Sequence, residues 1–110
     1  MYSVSFTEPA EDDLESCLRY IADVLKAPSA AKQLLIDIEE KVKLLETAPL
    51  CCALVDDEYL CTKGLRSLLV KNYQILYIVK EYDKSVSIIR ILYARRDWAF
   101  LLRTDELPKQ

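Results

Sequence analysis

The chain has 110 residues, 52% hydrophobic and 30% charged, the balance of one globular domain over 1–110 rather than of a disordered segment. A single glycine excludes glycine-rich phosphate loops, and the lack of histidine excludes Ser-His-Asp and Cys-His catalysis and His-bearing metal sites. The net charge of −3 is uneven: residues 1–58 carry 5 Lys/Arg against 13 Asp/Glu, a balance of −8, and residues 59–110 carry 10 against 5, a balance of +5.

In chain order, Tyr2, Val4 and Phe6 alternate with Ser3 and Ser5, the period-two pattern of a half-buried strand. Thr7 is placed as an N-cap, with Pro9 and the acids Glu8, Glu11, Asp12 and Asp13 in the opening turns. Leu14, Cys17, Leu18, Ile21, Val24 and Leu25 follow at helical spacing, predicting a helix over 8–25. Lys26-Ala27-Pro28 breaks it, and Ser29 is the expected cap of a second helix carrying Leu34, Leu35, Ile38, Val42 and Leu45 and closed by Pro49. The two amphipathic helices are expected to form an antiparallel hairpin. Neither buries its apolar stripe alone, so a sheet must cover them.

Residues 50–63 read as irregular, with Asp56-Asp57-Glu58 as a solvated acidic loop. After Gly64, three runs rich in β-branched and aromatic residues, 65–70, 73–80 and 86–93, predict consecutive strands joined at Lys71-Asn72 and at 81–84. A short helix over 94–102 is expected to turn Trp98, Leu101 and Leu102 inward. The predicted class is α+β, in the order β-α-α-β-β-β with a three-stranded meander.

The four cysteines, Cys17, Cys51, Cys52 and Cys61, have no CxxC spacing and no histidine to complete a zinc site, so no metal and no cofactor is expected. The opening residues lack a basic segment and a long apolar core, and no apolar run approaches the ~20 residues of a membrane span. A cytoplasmic protein with reduced thiols and no membrane partner is the expectation.

Basic residues recur along the meander. Arg90 interrupts the apolar run Ile88-Ile89-Arg90-Ile91-Leu92 and must reach solvent, an acid or a ligand, since burying it unpaired is very costly. Tyr93-Ala94-Arg95-Arg96-Asp97-Trp98 is the densest polar cluster, at the end of the last strand. Arg66, Lys71, Arg90, Arg95 and Arg96 are the candidate binding residues, for phosphate or for an acidic protein surface. The sheet is expected to gather them onto one exposed patch away from the acidic helices. Tyr73 and Tyr77 share parity with Ile75 and Val79 and are expected in the core.

Taken together, Tyr2-Ser3-Val4-Ser5-Phe6-Thr7, Asp13-Leu14, Tyr20-Ile21, Pro28-Ser29-Ala30-Ala31, Gly64-Leu65-Arg66-Ser67-Leu68, Asn72-Tyr73-Gln74-Ile75-Leu76-Tyr77 and Ile89 through Trp98 resemble the RelE/ParE toxin superfamily. The resemblance implies a small α+β toxin of a bacterial type II toxin–antitoxin module, a growth inhibitor neutralised by a cognate antitoxin. One branch, ParE-like, poisons DNA gyrase without hydrolytic residues. The other, RelE-like, cuts messenger RNA on the ribosome without a metal. On the nuclease branch the resemblance assigns catalytic roles to Arg66, Arg95 and Tyr93. Gln74, however, stands where that branch has an arginine, and Leu101 where it has a tyrosine. The helical hairpin, Gly64-Leu65-Arg66 and the Leu92–Asp97 segment resemble ParE. Gyrase is therefore the expected target, with the ribosome and its messenger RNA as the alternative and an inactive antitoxin-binding domain as a second.

Overall fold

The computed structural model describes residues 1–55 and 57–94. A strand β1 (Ser3–Phe6) leads into α1 (Glu8–Arg19), which continues as a π-helical segment (Tyr20–Val24). Then come α2 (Pro28–Thr47), a short α3 (Glu58–Thr62), and the strands β2 (Leu65–Val70), β3 (Tyr73–Lys80) and β4 (Ser85–Tyr93). The three strands of the predicted meander pair antiparallel. β1 joins alongside β4 in parallel, giving the sheet order β1-β4-β3-β2. Among the described residues, no helix is long and apolar enough to cross a membrane.

The helices follow from their sequences, with a difference at the start of the second. Thr7 caps α1 as expected, its hydroxyl accepting from Ala10 N at 3.2 Å. In the second helix Pro28, not a residue after it, opens the helix, and Ala27 occupies the cap position without a side-chain bond. Proline suits the first turn because its missing N–H would have no partner there. The link between the helices is tight: Leu25 N donates to Tyr20 O and Ala27 N to Ile21 O, and Lys26 takes a left-handed φ of 52°. Lys71 (56°) and Lys84 (54°) do the same at the two strand reversals, with Gly64 (78°) ahead of β2.

The segment expected to be irregular contains α3. Asp57, assigned in sequence to a solvated loop, is its N-cap, accepting from Leu60 N at 3.0 Å. A five-residue helix is too short to show periodicity, so only the cap could have signalled it. It turns Leu60 into the sheet, fully buried. The predicted helix over 94–102 lies almost wholly outside the described residues.

The sheet is covered on both faces. Against α1 and α2 lie Leu68, Val70, Ile75, Tyr77, Val86, Ile88 and Ile91, with Leu34, Ile38 and Leu45 from α2. Against the 55–62 segment lie Leu65, Leu76, Ile78, Ile89 and Leu92, packed with Val55 and Leu60. β4 contributes to both faces out of step. Leu76 pairs with Arg90 but Tyr77 pairs with Ile88, so β4 carries one extra residue, a β-bulge. Before it Val86 and Ile88 face the helices; after it the helix-facing residue is Ile91.

The bulge sits where β1 ends, so beyond it β4 keeps β3 on one side but has no strand on the other. Side chains of α1 and its cap take over. Thr7 N donates to Ile88 O at 3.0 Å and Thr7 Oγ1 to Ile89 O at 2.8 Å. Asp13 receives Ile91 N at 3.0 Å and Arg90 in a bidentate grip, Nε at 2.6 Å and Nη2 at 3.0 Å. The Arg90 and Asp13 side chains are only 20% and 16% exposed, so this is a largely desolvated pair. Such pairs contribute little when intact but are costly to break on one side. Asp13→Ala should therefore destabilise the fold by about 3 kcal/mol. The double variant Asp13→Leu/Arg90→Met should recover only the part owed to the unpaired arginine, because Ile91 N still lacks its acceptor, as read by urea denaturation.

Candidate binding cleft and basic side chains

The described basic candidates are each drawn to a different element. Arg66 lies on the edge strand β2, opposite Tyr77 in register and on the same, helix-facing side. Its Nη1 donates to Cys52 O at 2.6 Å. Its neighbour Tyr77, fully buried, donates its hydroxyl to Pro49 O at 2.8 Å. These two cross-strand neighbours thus hold the carbonyls at both ends of the 49–52 turn and fasten the α2–β2 connection to the sheet. Arg90, two strands across and so roughly 10 Å away along the hydrogen-bonding direction, is held by Asp13 of α1. Lys71, at the β2–β3 reversal, reaches Asp37 of α2 at 3.6 Å. The expected single patch is not how these three are arranged; each ties the sheet to a different part of the acidic first half. Arg95 and Arg96 lie outside the described residues.

Tyr93 ends β4 half-exposed, its ring meeting Tyr73 edge-on with centroids 5.7 Å apart. Ala94 N donates to Asn72 O at 2.7 Å, which brings the end of β4 beside the Lys71-Asn72 turn. Both tyrosines and Lys71 border a cleft of about 900 Å³ between the end of α1 with its π-helical continuation, the start of α2 and this turn. Cys17, Tyr20 and Leu34 form other parts of its wall. Parity in β3 places Tyr73 against the core, where it is partly buried, and does not reveal the cleft, which depends on the π-helical segment, whose wider turn has no sequence signature. Tyr20 on that segment and Leu25 just after it, both exposed, and the aromatic pair give it an apolar wall with a cationic rim.

Two ionisable groups of the wall, Cys17 and Tyr73, are held toward their neutral forms. Burial pushes the Cys17 thiol up, with the nearby Asp13 charge adding to it. Burial also pushes up the Tyr73 phenol, with Cys17 beside it. A mostly apolar cleft with one lysine at its rim suits docking of a partner's side chains.

The family follows from comparison. The model of the ParE toxin of the type II toxin–antitoxin system, parDE, matches residues 4–98. The chain belongs to the ParE toxin family. Among solved structures it is similar to the chromosomal ParDE system of P. aeruginosa, at 28% identity and TM-score 0.68, covering 86% of this chain and 98% of that one. It also shares the fold of the Mycobacterium tuberculosis RelBE2 toxin–antitoxin complex (22% identity, TM-score 0.60, covering 84% and 96%). A third likeness is to the intact E. coli RelBE complex (15% identity, TM-score 0.57, covering 87% and 100%). No curated protein matched in sequence. The chain is thus a type II toxin of the ParE/RelE superfamily, with the α+β fold expected of one.

In this ParE-family chain, Tyr77 provides a measurable signature. Burial, and then the Cys52 and Cys51 thiols beside it, raise its phenol well above the ordinary value near 10. Below pH about 10 the phenol is protonated in both states, and its contribution to stability is complete. Above that pH the unfolded chain releases the proton while the folded chain keeps it, so stability falls as pH rises. Tyr77→Phe should lose about 1 kcal/mol at pH 8 with its bond to Pro49. It should then show a shallower decline than the parent above pH about 10, measured by urea titrations stepped through that range.

Proposed function

We propose that this toxin acts by binding protein, as a ParE-like inhibitor of DNA gyrase, and is restrained by a cognate antitoxin. The observation that carries this reading is the engagement of Arg66 and Arg90. A nuclease would present both to a scissile phosphate; here one holds Cys52 O and the other is gripped by Asp13. Gln74, at the position where the nuclease branch carries an arginine, pairs in register with Leu69 and Leu92, its Oε1 buried and without a hydrogen-bond partner. The net charge of −3 is likewise unfavourable for approach to ribosomal RNA.

The contact with the target is assigned to Tyr93 and to Lys71, which stays largely exposed despite its ion pair with Asp37, with Arg95 and Arg96 following in sequence. The antitoxin contact is assigned to the cleft, whose apolar wall and Lys71 rim suit a helix with an apolar face and acidic flanks. The ribosome-dependent endonuclease reading retains one supporting observation, the half-exposed Tyr93 next to the Lys71 turn.

Two measurements test the proposal. When the chain is induced alone, chromosomal and plasmid DNA should lose negative supercoiling within minutes, with gyrase–DNA adducts and intact transcripts. Early transcript cleavage with normal supercoiling would replace gyrase by the ribosome, and unimpaired growth would leave only antitoxin binding. Separately, Tyr20→Asp should weaken antitoxin binding by about 100-fold, as expected for a buried apolar anchor, while toxicity of the uncomplexed chain persists.

A further inference from the structure

We propose that Cys51 and Cys52 form a preorganised dithiol that chelates a soft, thiophilic centre of the trivalent arsenic class. Neighbouring side chains on extended backbone point to opposite sides. Here the turn after α2 places the two Sγ atoms 3.5 Å apart, with Cys51 exposed and Cys52 half-buried. The turn is fixed before any ligand arrives. Cys51 N donates to Ala48 O, Tyr77 holds Pro49 O, and Arg66 holds Cys52 O.

A direct disulfide is the less favourable product. Adjacent Cα atoms across a trans peptide are about 3.8 Å apart, below the roughly 4.4–6.8 Å that ordinary disulfides span. Closing the S–S bond would pull against the two anchored carbonyls. Inserting one atom between the sulfurs asks for no such movement. Among the described residues no third Cys, Asp or Glu joins the pair as a metal-binding group, so the donor set is that of a two-sulfur chelate rather than a four-ligand zinc centre. Burial, reinforced by Cys51, pushes the Cys52 thiol up and keeps it protonated at neutral pH. Zinc binding would have to remove that proton.

An arsenoxide instead reacts with the thiols as they stand. Two As–S bonds form, and the arsenic-bound oxygen leaves with both thiol protons as one water. Arsenic remains trivalent, so no oxidant or reductant is needed. This site is independent of the toxin's target.

The probe is phenylarsine oxide, added in equimolar amount to the reduced, purified chain and followed by intact-protein mass. One arsenical per chain should be retained in excess glutathione and released by 2,3-dimercaptopropanol. Cys51→Ser and Cys52→Ser should each lower retention by about 100-fold or more, the usual advantage of a second, tethered donor. Cys17→Ser and Cys61→Ser should leave it unchanged. Peptide mapping of the unaltered chain should place the arsenical across 51–52. An adduct stripped by glutathione, one that persists in Cys51→Ser, or one mapped to Cys17 or Cys61 would overturn the assignment.

Discussion

Asp13 is the point on which the architecture turns. A parallel strand pairs with β4 only as far as Ile88, and beyond it the sheet would otherwise leave backbone groups and an arginine among apolar residues. One carboxylate from the second turn of α1 accepts from Ile91 N and from Nε and Nη2 of Arg90, while Thr7 takes the carbonyls of Ile88 and Ile89. Buried backbone groups left without partners are rare because each forfeits its hydration. The bulge is therefore tolerable only with α1 lying where it does. Once α1 is placed, its apolar stripe meets Val86, Ile88 and Ile91, and the helix-facing core closes.

The charge asymmetry between the two halves has an internal explanation. Acids of the helices meet bases of the sheet at Asp13–Arg90 and Asp37–Lys71. Arg66 follows the same logic with a neutral acceptor, the Cys52 carbonyl. A basic meander of this kind is partly self-neutralised, and in sequence Arg95 and Arg96 follow the end of β4. That redistribution is why the proposed activity is contact with another protein rather than cradling of a nucleic-acid backbone, which draws on many unengaged cations at once.

Much of the secondary structure could be read from residue order. The bounds of β2 and β3, the Thr7 cap, and the core positions of Tyr73 and Tyr77 follow from period two, capping chemistry and parity. Three features could not be read so. The extra residue in β4 reverses parity midway, and an unbroken run such as Ile88-Ile89-Arg90-Ile91-Leu92 fits either register. The partner of β1 lies more than 80 residues away in sequence (Ser3 with Ser85), beyond any local pattern. The roles of Arg66 and Arg90 were ambiguous because arginine has the same appearance in sequence whether it waits for a ligand or secures a loop. Of the candidate site, Tyr93 was singled out in sequence, whereas the place of Tyr73 beside it at the rim and the cleft behind them were not, since that wall is set by a widened helical turn.

Lysine rather than glycine occupies the reversals at 26, 71 and 84. A left-handed φ disfavours any residue with a Cβ by about 1–2 kcal/mol, yet Lys71 and Lys84 gain an acid and an aromatic face respectively, Asp37 and the Tyr2 ring. The denatured ensemble shifts as well. A polypeptide with lysine rather than glycine at three of its bends samples fewer conformations when disordered, so it surrenders less entropy on collapse. Its corners thus owe their sharpness to restricted freedom beforehand as much as to contacts made afterwards.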